Sequence, residues 1–259
     1  MISLKNPDQI AKMREAGALL WEVHQKLRAE IKPGVTTWDL DAYAESLIRK
    51  AGAIPSFKGY HGFPATLCTS VDDAVVHGIP NKKQVLREGQ IISVDCGLIL
   101  DGWQSDSAFT VGVGKISPEN QKLIDVTEES FFKGIRKAIA GNHIGDIGHA
   151  VQSYAESFGY GVVRDLTGHG IGRNMHEDPS VPNFGRPGHG TRLRAGMTLA
   201  IEPMIAMGDY RVAQLDDGWT IVTEDGSFCS HYEHTIAINE KGLPEILSFP
   251  GYVLTEDAE

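Results

Sequence analysis

Two ten-residue stretches, LREGQIISVD at 86–95 and LRAGMTLAIE at 193–202, share one pattern 107 positions apart. Each opens Leu-Arg-x-Gly, continues as an apolar run and closes on a carboxylate, Asp95 in the first and Glu202 in the second. An acid at the end of an apolar strand adds nothing to a hydrophobic core. The same offset relates Gly34 to Gly141, Asp39 to Asp146, Leu40 to Ile147 and Gly52 to Gly159. A chain with such a repeat is expected to fold as two related halves, about 10–113 and 117–238, inside one domain spanning 1–259.

Each half reads as helix, helix, short strands, then a hairpin. Thr37 precedes an apolar face of Trp38, Leu40, Tyr43, Ala44, Leu47 and Ile48, and Gly52 stands where a C-cap belongs. Ile147, Ala150, Val151, Tyr154 and Phe158 repeat that face, and Gly159 ends it. An earlier amphipathic helix at about 7–30 has its counterpart near 118–140. The expected class is therefore α+β.

The hairpins place the acids. Ile92, Val94 and Cys96 alternate along one strand, Asp101-Gly102 is a two-residue turn signal, and Phe109, Val111 and Val113 return. That turn sets Gly97 opposite Asp106 and puts Asp95 on the face of Gly97. The two aspartates become a diagonal cross-strand pair ~7–8 Å apart at Cα. In the second half, Glu202 ends the strand 197–202, and after an excursion through a turn at Glu224-Asp225-Gly226 a strand carries Glu233. If the halves pack about a pseudo-twofold axis, Asp95, Asp106, Glu202 and Glu233 converge. Burying even one unpaired carboxylate costs several kcal/mol, so four together call for cations.

Of the ten histidines, His24, His143, His149, His189 and His231 carry no local pattern and are expected to be exposed or structural. His61 lies in an aromatic loop, and His234 should face away from its neighbour Glu233. His169, in LTGHGIGRNMHEDP, has glycine on both sides, which frees the backbone to approach a ligand; His176 follows seven residues later. Two Asp, two Glu and one His form an oxygen-rich set with one nitrogen donor. Bridging carboxylates suit a pair of Mn, Fe, Co or Zn ions ~3.5–4 Å apart, as in several hydrolases.

Composition narrows the partners. The net charge of −10, with no long basic run, argues against nucleic acid or an anionic membrane. The N-terminus MISLKNPDQI shows no signal-peptide core, and no apolar run reaches membrane-spanning length. Three scattered cysteines argue against a disulfide framework, so a reducing compartment is expected.

The motifs HGIP (77–80), SVDCGLILDGWQSDSAFT (93–110), GHGIGRNMHEDP (168–179), AIEPM (200–204) and YEHT (232–235) together resemble the type I methionine aminopeptidases, over almost the whole chain. That resemblance implies the pita-bread fold, two pseudo-twofold-related halves with curved antiparallel sheets covered by helices. It implies two divalent metal ions (Co, Mn, Fe or Zn), with Asp95 chelating one, Asp106 and Glu233 bridging both, and His169 and Glu202 holding the other. His77 and His176 would contact the scissile amide without binding metal, and Tyr60, Phe63, Cys68, His77 and Trp219 would line the methionine side-chain pocket. Met175, Phe57 and Gly97 depart from common forms of the motifs.

The implied reaction is removal of an N-terminal methionine, with a small second residue preferred, by a metal-bridged hydroxide attacking the first peptide bond. Glu202 would shuttle the proton to the leaving amine, and His176 would stabilise the oxyanion. The implied partners are N-terminal Met-peptides and nascent chains, with transient ribosome contact, for a cytoplasmic monomer. Proline-specific peptidases, creatinase-like hydrolases and ligand-free binding proteins of the same fold are the competing readings. A complete metal set and a chain that begins almost at once with the catalytic unit disfavour them.

Overall fold

The computed structural model describes residues 2–255. Among the described residues four α-helices begin and end on residues suited to start and stop them. Helix α1 (Pro7–Glu30) is capped by Asn6, whose side chain accepts from the Gln9 amide while Gln9 returns the bond. Helix α2 (Thr37–Lys50) is capped by Thr36 with Asp39, so the cap lies one residue before Thr37. Helix α3 (Pro118–Ile135) starts at Ser117 with proline in its first turn. It stops short of 140. In helix α4 (Ile144–Glu156) the Asp146 carboxylate accepts from the His143 amide at 2.7 Å. Gly52 and Gly159, just past α2 and α4, take positive φ of 79° and 81°.

Among the described residues one nine-stranded sheet carries the fold, flanked by two three-stranded sheets. Its centre is two hairpins set side by side. Strands Ile91–Leu100 and Trp103–Gly112 form the first, and Thr198–Ile201 and Glu233–Ala237 the second. The return strands join them antiparallel, with Glu233 opposite Ala108. Gly168–Gly170 and then Glu177–Val181 extend the sheet beyond Thr198–Ile201.

Period-two alternation divides the sheet's faces. Ile92, Val94, Cys96 and Leu98 pack against Leu20, Leu27, Leu40 and Ile48 of α1 and α2. Leu199, Ile201, Tyr232 and Ile236 pack against Phe131, Phe132 and Ile135 of α3. His234 belongs to that covered face, as expected. Its Nδ1 bonds Ser248 Oγ at 2.8 Å and its Nε2 bonds Tyr232 Oη at 3.2 Å. The intervening residues, Asp95, Gly97, Asp106 and Glu233, look out on the uncovered face, where a cleft forms. No helix among the described residues is long and apolar enough to cross a membrane.

Candidate metal centre

The first hairpin turns at Asp101-Gly102, where both residues adopt positive φ (50° and 77°), and the resulting register sets Gly97 opposite Asp106 and Asp95 opposite Ala108. Both aspartates therefore share a face. From the second hairpin, Glu233 stands opposite Ala108 and Glu202 follows directly after Ile201. His169 is delivered by the neighbouring strand, opposite Ala200. All five side chains line one cavity of about 230 Å³, together with His77, His176, Tyr60, Phe63, Cys68 and Trp219. Every residue singled out from the sequence for the site is thus brought to one place.

Asp106, His169 and Glu233 each offer a ligand atom within 4.8 Å of the others. His169 Nε2 lies 3.7 Å from a Glu202 oxygen and 3.8 Å from an Asp106 oxygen. These distances leave room for an ion between the groups and are too long for hydrogen bonds. One oxygen each of Asp95, Asp106 and Glu233 is buried without a hydrogen-bond partner among the described residues. Buried polar atoms are normally satisfied, so three orphaned carboxylate oxygens on residues that line one cavity mark a site shaped for positive charge. Burial, then mutual repulsion, raises the Asp95 and Glu233 carboxyls far above their usual range, and burial with the Asp106 charge does the same to Glu202. Burial also pushes Asp106 up to about 7. A divalent cation reverses that cost, and the hard oxygen donors with one imidazole fit it.

His169 is prepared as a donor. Its Nδ1 sits 2.9 Å from the Gly170 carbonyl, which can only accept, so Nδ1 carries the proton and Nε2 presents its lone pair to the carboxylates. Burial lowers this imidazole to about 4, which keeps it neutral. The flanking glycines serve a different purpose from the one expected. A side chain at Gly168 would strike the Ala200 carbonyl, and one at Gly170 the Asp178 carbonyl. They allow neighbouring strands to close on His169 from both sides. The backbone approach they permit is to protein, not to a ligand.

The cavity's other wall is apolar and aromatic. Phe63 packs edge-on against Trp219 at 5.1 Å between ring centres, and His77 meets the same indole at 6.5 Å. Tyr60 Oη lies 2.8 Å from His176 Nδ1. Desolvation lowers His77 and His176, so both are neutral near pH 7. Cys68 is buried, with its thiol pushed up by burial and by Asp95, which disfavours the thiolate. The three departures from the common motifs are one contact. A Cβ on Gly97 would lie 2.9 Å from Met175 Cε and 2.9 Å from Phe57 Cε1. The missing side chain at 97 is what lets those two larger residues close the pocket. His61, ambiguous in the sequence, also lines it.

One residue of the site was not anticipated. His231, expected to be exposed or structural, is 1% exposed, with an unpartnered Nε2 3.8 Å from Glu202 and 3.9 Å from Glu233. The signal was available, because the alternation that turns His234 away from Glu233 turns His231 toward it.

Residues 11–240 match the model of metallopeptidase family M24. The chain belongs to that family. A curated methionine aminopeptidase of Clostridium acetobutylicum is 58% identical over 96% of this chain and 99% of its own length. Methionine aminopeptidase 1 of Bacillus subtilis is 50% identical over 94% of this chain and 98% of its own. The crystal structure of a methionine aminopeptidase from Thermotoga maritima superposes with a TM-score of 0.93 at 46% identity, covering 96% of this chain and 99% of that one. The pita-bread architecture, with helices on one side of antiparallel sheets, is that of the M24 family.

Proposed function

We propose that this protein is a metal-dependent aminopeptidase that removes the N-terminal methionine from peptides and nascent chains, preferring a small second residue. The observation that carries the reading is the union of three orphaned, buried carboxylate oxygens with an aromatic pocket of about 230 Å³ that opens onto them. Its likeness along nearly its full length to proteins named methionine aminopeptidase supports the choice of substrate. In this reading the whole chain is one catalytic unit built from two repeated halves, a monomer of the cytoplasm that meets its substrates at or near the ribosome.

Asp95, Asp106, His169, Glu202 and Glu233 hold two divalent ions, Co, Mn, Fe or Zn. Such ions, when bound, act as Lewis acids and lower the pKa of water toward neutrality. The remaining chemistry belongs to side chains. Phe63, Cys68, Trp219 and Tyr60 take up the methionine side chain, and Met175, a flexible thioether, completes the wall and excludes water. His77 and His176 flank the scissile amide. With the Tyr60 hydroxyl donating to Nδ1, His176 keeps its proton on Nε2 and can donate it to the developing oxyanion. A single such donor is worth ~3–4 kcal/mol in comparable acyl transfers. Glu202, the least enclosed of the second-half carboxylates with its side chain 14% exposed, relays the proton to the departing amine.

The test is to incubate the protein with Met-Ala-Ser and with an X-Pro peptide, each with and without a chelator. Chelator-sensitive release of methionine from the first alone is the expected result. Cleavage of the X-Pro peptide instead would assign a proline-specific peptidase, and insensitivity to chelator would remove the metals from the mechanism.

A further inference from the structure

The aromatic pocket accounts for a single side chain of a peptide substrate. A wider groove of about 770 Å³ opens beside it, and the two share His169 and His176. The groove lies across the strands Gly168–Gly170 and Glu177–Val181 at the end of the nine-stranded sheet. Its wall is mostly polar, with Thr167 Oγ1 bonded to Ser180 Oγ at 2.8 Å and Asn174 exposed beside it. In the aminopeptidase reading His176 contacts the amide to be cut. The chain beyond the second residue must then leave past His176, where this groove begins. An extended peptide advances ~3.3–3.6 Å per residue, so the cavity has room for several more residues.

Charge in the groove is uneven. Lys5, with a side chain only 3% exposed, is tied to Glu177 at 2.5 Å, and the two neutralise each other. Arg173 is exposed and has no carboxylate within ion-pair distance among the described residues. Its guanidinium lies 4.5 Å over the ring of Trp103, which is itself 2% exposed and fixed in the core. Stacking on an immobile indole orients the planar fork without consuming its donors. A guanidinium held in that way accepts a carboxylate readily.

We propose that this groove is a subsite for the peptide segment following the second residue, and that Arg173 makes it favour an acidic side chain there. The inference rests on the aminopeptidase reading and adds a preference to it.

The test uses hexapeptides beginning Met-Ala, with Glu, Gln or Lys placed in turn at positions three, four and five. At low salt the wild-type protein should cleave the Glu peptide roughly 2- to 5-fold more efficiently than the Lys peptide at one of these positions, the range of an exposed ion pair. Salt at ~0.5 M should erase the ratio. Arg173→Glu should invert it, and Arg173→Gln should bring it to about one. A ratio does not depend on how much of a variant is folded. A wild-type ratio of one at all three positions, a preference for Lys, or a ratio unchanged by Arg173→Glu would overturn the subsite alone. No methionine released from any peptide would overturn the aminopeptidase reading and the subsite with it.

Discussion

Replacing Gly97 by alanine perturbs the pocket wall from behind, without touching a metal-binding side chain. The new methyl would fall 2.9 Å from Met175 Cε, 2.9 Å from Phe57 Cε1 and 3.1 Å from Ser56 Cβ. Phe57 is a stiff ring in the core, 8% exposed, and Ser56 is held by its bond to Gln104 at 2.6 Å. The terminal methyl of Met175 is the softest of the three neighbours, and it lines the methionine pocket. The expected response is displacement of that methyl into a cavity of only about 230 Å³. Room lost for one methylene forfeits ~0.8 kcal/mol of apolar burial, and the strain of overpacking adds ~1–3 kcal/mol to the cost in stability. Gly97→Ala should therefore raise KM for Met-Ala-Ser about 4-fold or more, with kcat and bound metal little changed, and should lower the urea midpoint. Adding Met175→Ala should recover part of the loss in stability. A KM equal to that of the wild type, or a double variant no more stable than the single, would refute the contact as the reason these three residues occur together.

Further expectations concern the metal-free protein and the scaffold. His231→Ala should weaken retention of Mn²⁺ about 10- to 100-fold in a competition titration, because its imidazole faces Glu202 and Glu233, while a substitution at the exposed His149 should not. Asp106, raised by burial to about 7, holds its proton in the folded metal-free protein across a range where the unfolded chain, near 3.8, has lost it. Its contribution to stability is therefore full below about 3.8 and is lost as pH rises through about 7. Loading Mn²⁺ at pH 6 should release protons, seen as calorimetric heats that change with the buffer's ionisation enthalpy; heats independent of buffer would show that the carboxylates are already ionised. Asp41 is buried, and one of its oxygens accepts from both the Thr66 and Leu67 amides at 2.8 Å. Asp41→Ala should cost about 2–4 kcal/mol in urea unfolding by stranding those donors, and a loss under 1 kcal/mol would contradict that account.

Local signals made the scaffold legible where local physics decides it. Asp101-Gly102 fixes the first hairpin because a type I′ turn needs positive φ at both positions, and the register that follows delivers Asp95 and Asp106 together. The first helix, expected at about 7–30, forms over Pro7–Glu30, and Thr37, expected to open the second, lies one residue past its Thr36 cap. Other features depend on contacts remote in sequence. The excursion from Glu202 to Glu233 leaves the main sheet to build two smaller ones, and nothing in its local pattern names those partners. The glycines around His169 look like a ligand loop, yet their neighbours are carbonyls of strands that only the fold brings near. His231 is legible through the alternation with Glu233, although in the fold a strand break at Tyr232 separates the two. Arg173 lies within GHGIGRNMHEDP, but nothing in that stretch names its contact. Its interest arises from Trp103, placed beneath it by the turn of the first hairpin.

The proposed function requires Asp95, Asp106, His169, Glu202 and Glu233 to form a metal centre on which methionine release depends. The most direct measurement strips the protein with chelator and returns Mn²⁺ or Co²⁺ in steps, following bound metal and methionine released from Met-Ala-Ser in the same samples. Activity should be absent at the start and rise with occupancy to a plateau, and Glu233→Ala should show both lower occupancy and lower activity. Full methionine release by the stripped protein, or a Glu233→Ala variant that binds metal as the wild type does, would contradict the account.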